Sequence, residues 1–173
     1  MSKIVLTGTA FAGKTTLINL LAEQGYQTIP EAARDLIEQN QKIGSQSLPW
    51  IDLDLFLVDL LHLQLEREAK IQDLNQPIFI DRSPIDQYAY FRYFNKSLTP
   101  EYRQAFETNR YDKVFLLETL PGYQTDEIRK EPLEMVQQLR ILHQETYQEL
   151  GYHPILIPVT SIKNRLKYLE DHF

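Results

Sequence analysis

The chain has 173 residues, a net charge of −6 and no cysteine. That length suits a single domain with a sizeable core. The absence of cysteine excludes disulfide frameworks and thiolate metal sites, and the acidic balance argues against an electrostatic nucleic-acid footprint. No apolar run approaches bilayer length, and the first strand candidate begins almost at Met1, so no signal peptide is expected and a cytoplasmic location is.

In chain order, Ile4, Val5 and Leu6 predict a buried strand over residues 3–7. Gly8-Thr9-Ala10-Phe11-Ala12-Gly13-Lys14-Thr15 follows and matches G-x-x-x-x-G-K-[ST], the phosphate-binding P-loop pattern. Leu17, Ile18, Leu20 and Leu21 then recur at helical spacing, which predicts a helix over 14–24. Each part has a physical task. The glycines let backbone N–H groups curl around a polyphosphate, and the helix N-terminus points at the same anion. Lys14 supplies a mobile charge for the β- and γ-phosphates, and the Thr15 hydroxyl is the expected Mg²⁺ ligand. Residues 8–16, through Thr16, are thus the expected nucleotide cradle. The alternative is a glycine-rich turn that binds nothing, and the flanking strand and helix weigh against it.

Gly25 sits where a helix ends, before a strand over 26–30. Glu31 follows that strand. It is either an acid that accepts a substrate proton or a first-turn glutamate of a helix over 32–40. Arg34 is either a substrate contact or a partner for Glu31. Residues 50–72 begin with strand-like alternation, but the apolar pattern continues through Leu61 and Leu65, so length predicts a helix. Its Asp52, Asp54 and Asp59 read as a solvated face rather than a metal cluster.

Residues 77–81 predict the next strand, closed by Asp81-Arg82-Ser83. An acid at a strand tip beside the P-loop strand can orient Mg²⁺. Ser83-Pro84 predicts a capped start for a helix over 84–94. That helix carries Tyr88, Tyr90, Phe91, Tyr93 and Phe94, most of which read as packing residues. A helix over 99–109 and a strand over 112–118 come next. Residues 119–131 form a polar, glycine-containing connection with Arg129 and Lys130, read either as a lid over phosphates or as a charged surface loop. A helix over 132–149, Gly151, a strand over 154–159 and a helix over 161–171 complete the chain. Alternating strands and helices predict an α/β fold with a parallel sheet covered on both faces. No interdomain linker interrupts it.

The set GTAFAGKTT, EAAR, IDRSPIDQYAY and TDEIRKE with a final strand-loop-helix resembles a family of small P-loop proteins of the AAA-type ATPase domain kind, related to the ribosylnicotinamide kinase domain. It is more distantly similar to deoxynucleoside and thymidylate kinases. The resemblance spans nearly the whole chain. It implies a P-loop NTPase three-layer sandwich with a five-stranded parallel sheet of order 2-3-1-4-5. It further implies Glu31 or Asp81 as base, Arg82 at the phosphates and Arg129 in the lid. Pro158, Val159 and Thr160 would then lie near the nucleotide base, with ATP and Mg²⁺ as the bound groups.

Other P-loop classes fit less well. A GTPase would carry an Asn-Lys-x-Asp base reader, and the nearest string, Asn95-Lys96-Ser97-Leu98, lacks the acid. No transporter signature is present, and a ring-forming AAA+ motor needs a longer chain. The expected function is therefore transfer of the ATP γ-phosphoryl to a small, nucleoside-like acceptor. The alternative is a nucleotide-binding switch or slow ATPase/GTPase without such an acceptor. Neither the acceptor nor the oligomeric state is legible in the sequence.

Overall fold

The computed structural model describes residues 2–71, 75–121 and 132–173. Its five strands are β1 (Lys3–Thr7), β2 (Gln27–Ile29), β3 (Ile78–Asp81), β4 (Lys113–Leu117) and β5 (Ile155–Ile157). Seven helices alternate with them: α1 (Lys14–Glu23), α2 (Ala32–Lys42), α3 (Leu53–Ala69), α4 (Pro84–Tyr93), α5 (Pro100–Thr108), α6 (Leu133–Glu149) and α7 (Ile162–Glu170). All pairings are parallel, in the order β2-β3-β1-β4-β5. This is the order that the sequence resemblance implies.

Alternation along the strands divides the core. Val5, Ile78, Ile80 and Val114 face one side and pack with Leu57 and Leu61 of α3, Ile85 and Phe91 of α4, and Tyr147 of α6. Ile4, Leu6, Phe79, Phe115 and Leu117 face the other side and pack with Leu17, Ile18 and Leu21 of α1 and Leu169 of α7. Strands buried on both faces read as continuous apolar runs, and these do. On the first side, α2 is carried by α3: Leu36 and Ile37 pack against Phe56 and Leu60.

Element ends follow local chemistry. α3 begins at Leu53, later than the apolar pattern suggests, because Asp52 takes the N-cap and accepts from the Leu55 N–H at 3.0 Å. Asp54 pairs with Lys96 at 2.6 Å, so two of the three acids in this stretch have structural partners. β5 is shorter than the sequence predicts because Pro154 and Pro158 bracket it and have no N–H for the ladder. Ser83 and Asp86 close a reciprocal capping box at the start of α4.

Candidate functional site

The site lies at the C-terminal ends of the strands, where open α/β sheets bind ligands. β1 pairs Leu6 with Asp81 of β3 on one side and with Phe115 of β4 on the other. The loop leaving β1 is therefore centred on the sheet. Gly8 has φ of +133°, and a Cβ there would meet Leu117 O at 2.7 Å, so only glycine lets the loop pass this close to β4. Gly13 has φ of +80° and opens α1.

Lys14 crosses this loop. It is 4% exposed, and its Nζ donates to Gly8 O at 3.0 Å and Thr9 O at 2.7 Å. Burial lowers its pKa to about 8, Arg82 adds to the effect, and Asp81, Glu31 and Asp86 oppose it. The Thr15 hydroxyl donates to Asp81 Oδ2 at 2.9 Å. Asp81 Oδ1 is buried and has no hydrogen-bond partner among the described residues. Burial raises the Asp81 pKa to about 6, against the pull of Lys14. A buried, unpartnered carboxylate oxygen beside a threonine hydroxyl is a donor set that suits a hard divalent cation such as Mg²⁺.

Arg82 follows β3 in a left-handed conformation with φ of +68°. Backbone of this kind in a non-glycine residue is held by its surroundings and concentrates at functional sites. Here the Arg82 N–H donates to Leu6 O at 3.1 Å. Its Nε donates to Glu31 Oε1 at 3.0 Å, and Nη1 lies 3.4 Å from Asp86 Oδ1. Burial acts to lower the Arg82 pKa, but Glu31, then Tyr90 and Asp86, reverse this and hold the guanidinium charged.

Asp86 is a hub that sequence reasoning treated only as part of a helix. It accepts from the Thr7 hydroxyl at 2.6 Å, the Tyr147 hydroxyl at 2.6 Å and the Ser83 N–H at 2.9 Å. The capping-box spacing Ser83-x-x-Asp86 is the one sequence signal that could have marked it. The network fixes the start of α4 to β1 and α6, and with it the direction of Arg82.

His143 of α6 borders this network. It is fully buried, neither ring nitrogen has a hydrogen-bond partner among the described residues, and Nδ1 stands 3.6 Å from Asp86 Oδ1. Burial lowers its pKa to about 3; Asp86 resists this, and Arg82 and Lys14 reinforce it. The folded state thus takes up this proton less readily than the unfolded chain, whose histidine titrates near 6.5. Stability from the neutral imidazole is complete above pH ~6.5 and is lost as pH falls towards ~3. Between pH 7 and pH 5 the expected loss is about 2 kcal/mol. Asp81, with its raised pKa, contributes in the opposite direction over the same range in both proteins. Denaturant unfolding should therefore show the stability of the wild type relative to His143→Leu falling by about that amount from pH 7 to pH 5. A difference that does not change with pH would place the proton elsewhere.

Two depressions meet over these residues. One lies above the P-loop, lined by residues 11–16 with Glu31, Arg34 and Leu120. The other is a cleft open to solvent. Its polar side is Glu31, Arg34, Arg82 and Asp86, and its apolar side includes Ile37, Leu53, Phe56 and Leu60. Gln64 and Gln87 stand in its wall, where Gln87 Nε2 donates to Gln64 Oε1 at 2.6 Å and the Tyr102 hydroxyl donates to Gln87 Oε1. Of the five aromatics on and beside α4, Tyr90 lines the cleft, Phe91 is buried in the core and Tyr88 stacks on Phe106. Glu31 and Arg34 line both depressions.

The structure brings Lys14, Thr15, Glu31, Asp81 and Arg82 together. Pro158, Val159 and Thr160 follow β5, and Pro158 O accepts from Arg165 Nε, whose guanidinium also reaches Ala12 O of the P-loop. The Val159 N–H donates to Glu118 Oε2 at 3.3 Å, and Val159 lines a hollow with Val136, Arg140 and Leu120, the last of which also lines the P-loop depression. Arg129 and residues 122–131 of the expected lid lie outside the described residues. Sequence reasoning missed Arg165 of α7. It is 1% exposed, and its Nη1 donates to Ala12 O of the P-loop at 2.7 Å. No local signal marks it, since its partners are distant carbonyls.

Among the described residues, no helix is long and apolar enough to cross a membrane. No curated protein matches this chain in sequence. Solved structures share its fold. The NadR protein in complex with NR superposes with a TM-score of 0.74 at 15% identity, covering 98% of this chain and 49% of that one. The chain thus spans about half the length of NadR. Deoxyadenosine kinase from M. mycoides superposes with a TM-score of 0.63 at 19% identity, covering 98% of this chain and 96% of that one. Thymidylate kinase from Candida albicans gives 0.70 at 15% identity, with 98% and 89% covered. At these identities the likeness is one of fold, that of P-loop kinases. The family model described as an AAA domain matches residues 3–165, nearly the whole chain, and the chain belongs to that family.

Proposed function

We infer that the protein is a single-domain, ATP-dependent phosphotransferase acting on a small, nucleoside-like hydroxyl compound. The observation that carries this reading is the shared wall: Glu31 and Arg34 line both the P-loop depression and the amphipathic cleft. A donor phosphate in one and an acceptor hydroxyl in the other would meet at a carboxylate and a guanidinium. A nucleotide switch needs the first depression but has no use for the second. The cleft, apolar on one side and polar on the other, suits a flat ring carrying hydroxyls.

Lys14 and the P-loop amides bind the phosphates. Thr15 and Asp81 are the residues that would hold Mg²⁺, which would supply neutralisation of the phosphate charge. Arg82 adds a fixed guanidinium that Glu31 and Asp86 orient. Glu31 accepts the proton of the acceptor hydroxyl. Catalysis then comes mainly from positioning and charge neutralisation.

The test is a panel of nucleosides, nucleotides and vitamin-like alcohols with ATP and Mg²⁺, read as ADP release above the acceptor-free background. One acceptor should raise release well above that background. Release that no acceptor changes would return the protein to the switch or slow-ATPase reading. A second measurement addresses the metal. Asp81→Asn is nearly isosteric and should melt like the wild type, while the Mg²⁺ needed for half-maximal turnover rises about tenfold or more. An unchanged Mg²⁺ titration would leave Asp81 as a partner of Thr15 only.

A further inference from the structure

Arg165 is buried, the Glu118 charge acts on it, and its hydrogen bonds among the described residues go to backbone carbonyls. Nη1 donates to Ala12 O at 2.7 Å, Nε to Pro158 O at 3.0 Å, and Nη2 to Glu118 O at 2.9 Å and Ile157 O at 3.5 Å. These acceptors belong to three segments: the P-loop, the end of β4 and the end of β5. No carboxylate oxygen is among these hydrogen-bond partners. Burying a guanidinium on these terms is costly, and an apolar side chain would fill the same space without desolvating a charge. The fork of donors is what the position uses.

The bond to Ala12 has a directional consequence. The described residues contain no cis peptide. In a trans peptide the C=O and the following N–H point opposite ways. Holding Ala12 O against Arg165 therefore turns the Gly13 N–H away from α7. Gly13 itself lines the P-loop depression. A Cβ at Gly13 would fall 3.2 Å from Arg165 Nη1, so the guanidinium packs directly against this peptide. The neighbouring peptide is held in the same manner, with Phe11 O accepting from the Leu120 N–H at 3.1 Å.

We propose that Arg165 is a positioning residue for polyphosphate binding: it presets the Ala12–Gly13 peptide with its N–H towards the anion and ties it to the corner after β5. The proposal rests on the P-loop being a triphosphate site. An amide already aimed needs no reorientation when the anion arrives. The effect belongs to the phosphate chain, so it must appear with inorganic tripolyphosphate, which has neither sugar nor base.

The experiment is calorimetric titration of wild type, Arg165→Lys and Arg165→Met with ATP and with inorganic tripolyphosphate, alongside amide NMR. Both variants should bind both ligands roughly tenfold or more weakly, and the Gly13 amide resonance should move in the free variants. In the wild type, tripolyphosphate should shift the Gly13 N–H and the Arg165 Nε–H together. Folded variants that bind tripolyphosphate within about twofold of wild type, with the Gly13 resonance unmoved, would overturn the proposal. Should neither variant fold, the wild-type titration decides alone: a Gly13 shift without an Arg165 shift also overturns it. A wild type that binds neither ligand removes the functional reading and this proposal with it. Wild-type binding with unaffected variants removes this proposal alone.

Discussion

Replacing Lys14 with alanine should weaken ATP binding about a hundredfold while changing AMP binding little. Lys14 Nζ is already inside the loop, bonded to the carbonyls of Gly8 and Thr9. Those acceptors hold an ammonium at the place where a polyphosphate would lie, and the incoming anion replaces them as its partner. A charge-assisted bond to phosphate is stronger than one to a neutral carbonyl, so the exchange favours binding. The loss should concentrate on the β/γ end because a lysine at this position serves those phosphates. The variant should also melt lower, since Gly8 O and Thr9 O lose a buried donor. Calorimetry with ATP, ADP and AMP resolves the pattern. ATP affinity equal to wild type would show that the loop is not a nucleotide site.

Glu31→Gln should lower acceptor phosphorylation by about 10²–10⁴-fold and leave ATP affinity near wild type. The amide keeps the shape of the carboxylate and can still accept from Arg82 Nε, now at 3.0 Å, so Arg82 stays in place. What disappears is the capacity to take a proton. Glu31 is the stronger candidate for that task because it lines the cleft as well as the P-loop depression. Asp81, the other acid that the sequence offers as base, turns Oδ2 towards Thr15 on the P-loop side. Steady-state kinetics with the acceptor identified in the panel, paired with ATP titration, separates the two acids. Unchanged turnover in Glu31→Gln would limit Glu31 to orienting Arg82 and move the base to Asp81. Lost ATP binding would instead make Glu31 part of the donor site.

Both predictions concern residues that were recognisable before the fold was described. Lys14 stands in a contiguous motif whose spacing carries its own chemistry, and its flanking strand and helix show in apolar periodicity. The strands and helices of the described residues were legible in the same manner, to within a few residues at their ends. Their reasons are local: alternation, capping by Ser83 and Asp52, and glycines at Gly25 and Gly151 with φ of +92° and +84°. Sheet order is not local. It came from resemblance rather than periodicity, because an alternating strand does not say which neighbour it pairs with.

The remaining parts of the site depended on that order. Arg82 meets Glu31 across 51 positions, Tyr147 meets Asp86 across 61, and Arg165 meets Ala12 across 153. The sequence offers Arg34 as a partner for Glu31, and the structure adds the contact from Glu31 that orients Arg82. The cleft is another product of packing, since α2, α3 and α4 each supply one wall. By itself the sequence determined the elements, the P-loop and the types of residue available at the strand tips, because these follow from neighbours along the chain. Only the tertiary structure decided which charges pair, which carboxylate oxygen is left without a partner and which buried arginine holds the P-loop, because side chains find such partners only after parallel strands have brought distant segments to one edge of the sheet.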